Sequence, residues 1–178
     1  ATFMPGLVGS LLVGLTFAKS LAWSRSLPFV GVNHIEAHLL AVCLEVPTLV
    51  PPFLGLVVSG GHTEFILVED WGRYRMLGST LDDAAGEAFD KVGQLLGLPY
   101  PGGPAIDHAA PAGDPHAFAF PRALRLRDAC DVSFSGLKTA VRLTVEKLGA
   151  AEAARRTADL AASFQEAVVA SLEEKFTW

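Results

Sequence analysis

The chain has 178 residues, 51% of them hydrophobic, which is long and apolar enough to bury a core and argues against a disordered tail. A net charge of −5 argues against a protein that holds nucleic acid by bulk electrostatics. The two cysteines, Cys43 and Cys130, have no CxxC spacing, which argues against a disulfide framework or zinc ribbon and points to a reducing, cytoplasmic setting.

Thr2 to Ala18 is uncharged and rich in Leu and Val, but it contains Pro5 and three glycines and ends at Lys19. A membrane span wants about 20 apolar residues, so no membrane segment is assigned. The pattern predicts instead a helix from Leu7 to about Trp23, apolar nearly all round and therefore buried. Phe29 to Val32, bounded by Pro28 and Asn33, predicts a buried parallel strand. Asn33 then fits an N-cap for a helix from about His34 to Glu45. Pro47, Pro51 and Pro52 break the pattern and mark a boundary between residues 1–50 and residues 51–178.

Phe53 to Ser59, Thr63 to Glu69 and Arg73 to Ser79 predict an antiparallel meander, with Gly60-Gly61 and Asp70-Trp71-Gly72 as its turns. A helix follows from Leu81 to about Leu96. Asp82 and Asp83 fall in its first turn, Phe89, Val92, Leu95 and Leu96 form its apolar face, and Gly97 stops it. Pro101-Gly102-Gly103-Pro104 predicts a rigid turn. Beyond an irregular stretch, Leu137, Ala140, Val141, Val145 and Leu148 mark one amphipathic helix, and Leu160, Ala161, Phe164, Val168 and Leu172 another. From Pro121 to Lys147 the chain is locally basic, with Arg122, Arg125, Arg127, Lys138, Arg142 and Lys147 against Asp128, Asp131 and Glu146. That stretch is either an RNA-facing patch or a solvated helix face.

Several residues carry chemistry. His34 and His38, at i and i+4, project from one helix face and can grip one metal ion, at the carboxyl edge of a strand where open α/β folds keep ligands. The same spacing suits two hydrogen-bonded helix histidines. A zincin-type protease needs a glutamate on that face, whereas Glu36 lies about 200° around the helix from His34. Val57-Val58-Ser59-Gly60-Gly61-His62-Thr63 joins two strands through bare backbone that can approach phosphates, or is simply a turn. Asp90, Gly103 and Asp107 offer carboxylates and open backbone suited to ribose hydroxyls, although Asp90 also fits a solvated position beside Lys91. Ser133 to Lys138 is a helix cap or an anion site, and without a GxSxG elbow it is not a nucleophilic serine.

Taken together, PGLVGSLLVG at 5–14, NHIEAH at 33–38, LVVSGGHTE at 56–64, LDDAAGEAFDKVGQLLGLPYPGGP at 81–104 and SFSGLKTAV at 133–141 resemble the bacterial tRNA N6-adenosine threonylcarbamoyltransferase family, formerly called O-sialoglycoprotein endopeptidase or glycoprotease. The resemblance implies an α/β fold of the two-lobed actin, hexokinase and heat-shock-70 type. Residues 1–50 would be the remainder of the first lobe and 51–178 the start of the second. It implies that His34 and His38 ligate one divalent metal per subunit, iron or zinc. It further implies that Val57, Val58, Ser59, Gly60 and Gly61 contact the adenylate substrate, with Asp90, Gly103 and Asp107 in the same pocket. The expected reaction moves the threonylcarbamoyl group from threonylcarbamoyl-AMP to N6 of adenosine 37 in tRNAs reading codons that begin with A. The expected partners are tRNA, an adenine nucleotide, a paralogous non-catalytic subunit and a small ATPase. No side chain is assigned as general base. The first lobe's opening strands, and the later segment that brings an asparagine and a metal-binding aspartate in the family, are expected to lie outside this chain, leaving an internal fragment inactive by itself. The rival readings are a non-catalytic nucleotide-binding or partner-assembly module and, behind it, a metalloprotease.

Overall fold

The computed structural model describes residues 1–122 and 130–176. Strand β1 (Thr2–Met4) pairs in parallel with β2 (Val32–Asn33), and helix α1 (Val8–Ser24) connects them. The predicted helix is present, but its predicted burial is not: no residue of α1 is buried, and Phe17 and Trp23 are 71% and 87% exposed. An all-round apolar helix needs cover on more than one side. Here its principal packing partner is β1, whose three residues are too short to screen a helix of 17. The predicted strand at Phe29 to Val32 is likewise displaced to Val32–Asn33 and exposed at Val30, because a two-stranded sheet leaves much of its surface open.

Asn33 caps the next helix as its sequence suggests, its Oδ1 accepting from the backbone N–H of Ile35 at 2.9 Å and of Glu36 at 3.2 Å. The predicted single helix is two pieces, α2 (His34–Leu40) and α3 (Val42–Glu45), because the Ala41 N–H bonds the His38 carbonyl and tightens the ladder there.

The meander forms as read, with β3 (Phe53–Val58), β4 (Thr63–Asp70) and β5 (Arg73–Ser79) antiparallel in that order. Successive side chains of a strand point to opposite faces, and β4 is apolar on both. Ile66 and Val68 join Val57, Ile35 and Leu39 in a cluster under α2, whereas Phe65 faces a larger core on the other side. Gly55 permits the first contact, since a Cβ there would collide with Leu39 Cδ1.

The larger core is roofed by α4 (Ala85–Leu95), α5 (Gly102–Ala109), α6 (Ser135–Leu148) and α8 (Thr157–Phe176), with the short α7 (Ala150–Arg155) linking the last two. Helix α4 starts four residues later than predicted, so Asp82 and Asp83 precede it. Thr80 and Leu81 are still engaged in strand-like pairing with Val132, Leu81 N–H donating to the Val132 carbonyl at 2.9 Å. Its buried face is Ala85, Ala88 and Val92, with Phe89 and Leu96 packed alongside, and Leu95 is 36% exposed rather than part of that face. Gly97 ends the helix at φ 71°. The predicted rigid turn at Pro101 to Pro104 instead opens α5, with Pro101 as N-cap. Gly102 lies against α4 so closely that a Cβ on Gly93 would stand 2.9 Å from its Cα. Among the described residues no helix is long and apolar enough to cross a membrane. Arg125, Arg127 and Asp128 of the basic stretch lie outside the described residues.

Candidate functional site

The cap at Asn33 fixes where α2 begins, and with it which side chains face the sheet. Ile35 and Leu39 turn inward, and His34 and His38 stand exposed on the outer face. Their Nε2 atoms are 3.2 Å apart, with ring centroids at 4.4 Å and planes at 72°. Two nitrogens each 2.0–2.1 Å from one tetrahedral ion stand about 3.3 Å apart. The pair is therefore spaced to share an ion through Nε2, and the same distance serves a hydrogen bond between neutral rings. Among the described residues no cluster of three or more His, Cys, Asp or Glu side chains forms a fuller ligand set. Glu36 faces the sheet, where the Tyr74 hydroxyl donates to its Oε1 at 2.6 Å. Burial, followed by that bond to the carboxylate, raises the Tyr74 hydroxyl above its ordinary range. A glutamate held this way is turned from the His pair, which leaves the protease geometry without its base.

Helix α2 and the glycine hairpin share one packing unit, because Val57, two residues before the turn, is buried against Ile35 and Leu39. Its side chain is core, and only its backbone faces elsewhere, whereas Val58 is exposed. The Ser59 Oγ accepts from the N–H of Gly61 at 3.3 Å and of His62 at 3.0 Å, which closes the turn from inside. Gly60 and Gly61 have open space where a side chain would stand. The start of α4 abuts this tip: Gly86 N–H donates to the Ser59 carbonyl at 3.2 Å, and Ala85 N–H to Thr63 Oγ1 at 2.8 Å. A helix N-terminus carries partial positive charge, so an anion over Gly60-Gly61 meets bare backbone and a favourable dipole together.

Asp90 faces α5, its Oδ1 accepting from Gly102 N–H at 2.7 Å. It lines a cavity of about 370 Å³ together with Lys91, Gln94, Tyr100 and Gly102. Gly103 is open, and Asp107, one turn further along α5, accepts from Gln165 Nε2 at 3.2 Å. The structure thus brings Asp90 to the head of the helix that carries Gly103 and Asp107, and sets the hairpin at the head of the helix that carries Asp90.

Two carboxylates read from the sequence only as first-turn acids have long-range partners instead. Asp82 accepts from the N–H groups of Phe134 at 2.8 Å and Ser135 at 3.3 Å and from the Ser133 hydroxyl, so the segment read as a cap or an anion site is capped by this chain's own carboxylate. Asp83 binds Lys138 at 2.7 Å and Lys91 at 2.6 Å, tying α6 to α4. Lys138 first and Lys91 next hold the Asp83 carboxyl below the ordinary range, and Asp83 with Glu87 raises the Lys91 ammonium. The partners lie up to 55 positions away in sequence, and no local pattern announces them.

A family model described as tRNA N6-adenosine threonylcarbamoyltransferase matches residues 1–177. The chain is similar to curated proteins of that name from Thermotoga neapolitana, at 57% identity over 98% of this chain and 52% of that protein. It is similar also to those from Geobacter sulfurreducens, at 60% over 96% and 50%, and from Clostridioides difficile, at 52% over 98% and 52%. It spans about half the length of the curated relatives it matches.

Proposed function

The chain belongs to the tRNA N6-adenosine threonylcarbamoyltransferase family, and we propose that the whole protein transfers the threonylcarbamoyl group from threonylcarbamoyl-AMP to N6 of adenosine 37 in tRNAs reading codons that begin with A. The match across residues 1–177 carries this reading. In the step itself N6 bonds to the carbamoyl carbon, the bond from that carbon to the phosphate oxygen breaks, AMP leaves and N6 loses a proton. His34 and His38 would hold one divalent ion, iron or zinc, and their 3.2 Å spacing fits that use. Such an ion supplies a Lewis acid for a carbonyl oxygen. Gly60 and Gly61, with the start of α4 behind them, receive the adenylate phosphate, while Ser59 keeps the turn in shape. Val58 and the backbone of Val57 flank it, and Asp90, Gly103 and Asp107 address the ribose.

The fold is read as part of the two-lobed actin, hexokinase and heat-shock-70 type, with residues 1–50 in the first lobe and 51–178 in the second, in a cytoplasmic protein. The exposed apolar surface of α1 supports a docking role toward a paralogous non-catalytic subunit, and a small ATPase is assigned as a further partner. That surface also favours the second reading, a partner-assembly module without catalysis. Transfer assays with the full-length protein, its partners, a tRNA transcript and threonylcarbamoyl-AMP separate the two. Asp90→Asn with Asp107→Asn should lower turnover at least tenfold; unchanged turnover removes those carboxylates from the pocket, and no turnover by the wild type favours the assembly module.

A further inference from the structure

Helix α2 is seven residues long and is seated over β3 by its two buried side chains, Ile35 and Leu39, which cluster with Val57, Ile66 and Val68. At about 100° per residue, His34 and His38 project from one flank of this apolar line and Glu36 from the other. A rotation of the helix about its own axis therefore moves the glutamate and the histidines together, in opposite senses relative to the sheet. Packing does little to resist that rotation. Beside the Glu36 flank lies a cavity of about 310 Å³, whose wall includes Met4, Pro5, Ile66, Met76 and Tyr74, so the helix has open space on that side. The Asn33 cap bonds within its own segment, which fixes where α2 begins and not how it sits on the sheet.

The hydrogen bond from the Tyr74 hydroxyl to Glu36 Oε1 spans this flank, at 2.6 Å between side chains 38 positions apart in sequence. A short bond from a hydroxyl to a carboxylate is of the stronger, charge-assisted kind. Tyr74 belongs to β5, two strands from β3, and pairs there with Val68, so its ring packs against the same cluster as Ile35 and Leu39. The half-buried ring makes its hydroxyl a fixed point on the sheet. Two apolar anchors along one line allow α2 to roll, and a third, polar anchor off that line stops it.

We propose that Tyr74 is a positioning residue for the candidate metal pair: by holding Glu36 it fixes the rotation of α2, and with it where His34 and His38 present an ion relative to the sheet and its Gly60-Gly61 turn. The proposal rests on the reading of His34 and His38 as ligands. Their 3.2 Å spacing is a property of the helix and survives loss of the tether. The tether secures the setting of the pair against whatever else completes the ion's coordination. Groups behind the ligands of a metal site change its affinity by about 10- to 100-fold.

Titration of the metal-free full-length protein with Co²⁺, followed by visible absorption, tests this. Tyr74→Phe keeps the ring and removes only the hydroxyl, and should weaken Co²⁺ binding by about tenfold and alter the absorption bands. Glu36→Leu should do the same. Glu36→Gln keeps an acceptor oxygen for the hydroxyl and should stay within about threefold of the wild type. Tyr74→Phe combined with Glu36→Leu should bind no more weakly than either alone, because the two side chains act as one unit. Asp83→Asn, at the junction of α4 and α6, is the control for general destabilisation and should bind Co²⁺ as the wild type does. Wild-type affinity and bands in Tyr74→Phe would overturn the proposal while leaving the metal reading intact. Losses that add in the double variant, or an equal loss in Asp83→Asn, would overturn it as well. A wild type that binds no Co²⁺ would contradict the metal reading itself, and the proposal with it.

Discussion

Asp83 ties two helices together, since one side chain holds lysines from α4 and α6. Its depressed pKa has a definite consequence. An unfolded aspartate titrates near about 3.9, and a folded one held lower contributes stability that is present above that value and lost as pH falls through the folded pKa. Asp83→Asn should therefore lower the melting temperature at neutral pH, and its deficit against the wild type should shrink toward zero in acid. Melting curves from pH 7 to pH 2 check this, and a deficit that persists undiminished in acid would contradict the ion-pair account. At this scale the sequence was legible where the partner is local. Asn33 could be read as a cap because the amides it accepts from are two and three residues away, and His34 with His38 because one helical turn brings them together. Asp82 was read as a first-turn acid for want of any local sign that its donors are Phe134 and Ser135. Val57 was read as a hairpin residue, and its side chain is core because α2 lies over it.

At the scale of elements, the contact between α2 and the sheet joins the candidate metal pair to the candidate phosphate hairpin, and Gly55 makes it possible. Gly55→Ala should push Leu39 out of place and cost about 1–3 kcal/mol, as overpacking of a close contact does. Chemical denaturation would show the lowered midpoint, and metal analysis of the same protein should show reduced content, since the helix bearing His34 and His38 loses its seat. A variant with wild-type midpoint and metal content would mean that α2 does not depend on this contact. The meander was legible because period-two alternation and glycine turns are local signals. Helix α5 was not, because Pro-Gly-Gly-Pro has poor intrinsic helix propensity. The structure tolerates it for two reasons: Pro104 falls in the first turn, where a missing N–H does little harm, and Gly102 must be small to lie against α4. The sequence misplaced the start of α4 because two aspartates before an apolar run imitate a helix N-terminus, whereas Thr80 and Leu81 remain paired with Val132.

For the whole molecule, the helical nature of α1 could be read from its sequence, but its exposure could not. Burial depends on what packs against a helix, and an all-round apolar pattern states only that cover is needed. The chain spans about half of each curated relative it matches, so the transferase reading belongs to the whole protein. Its central claim is that His34 and His38 act together as ligands in a tRNA-modifying enzyme. The most direct measurement is the threonylcarbamoyl-adenosine content, by mass spectrometry, of tRNA from cells whose only copy of the full-length protein carries His34→Ala and His38→Ala. The account predicts loss of the modified nucleoside while the variant remains folded and at normal abundance. Unchanged modification under those conditions would contradict it and leave the two histidines as surface residues of α2.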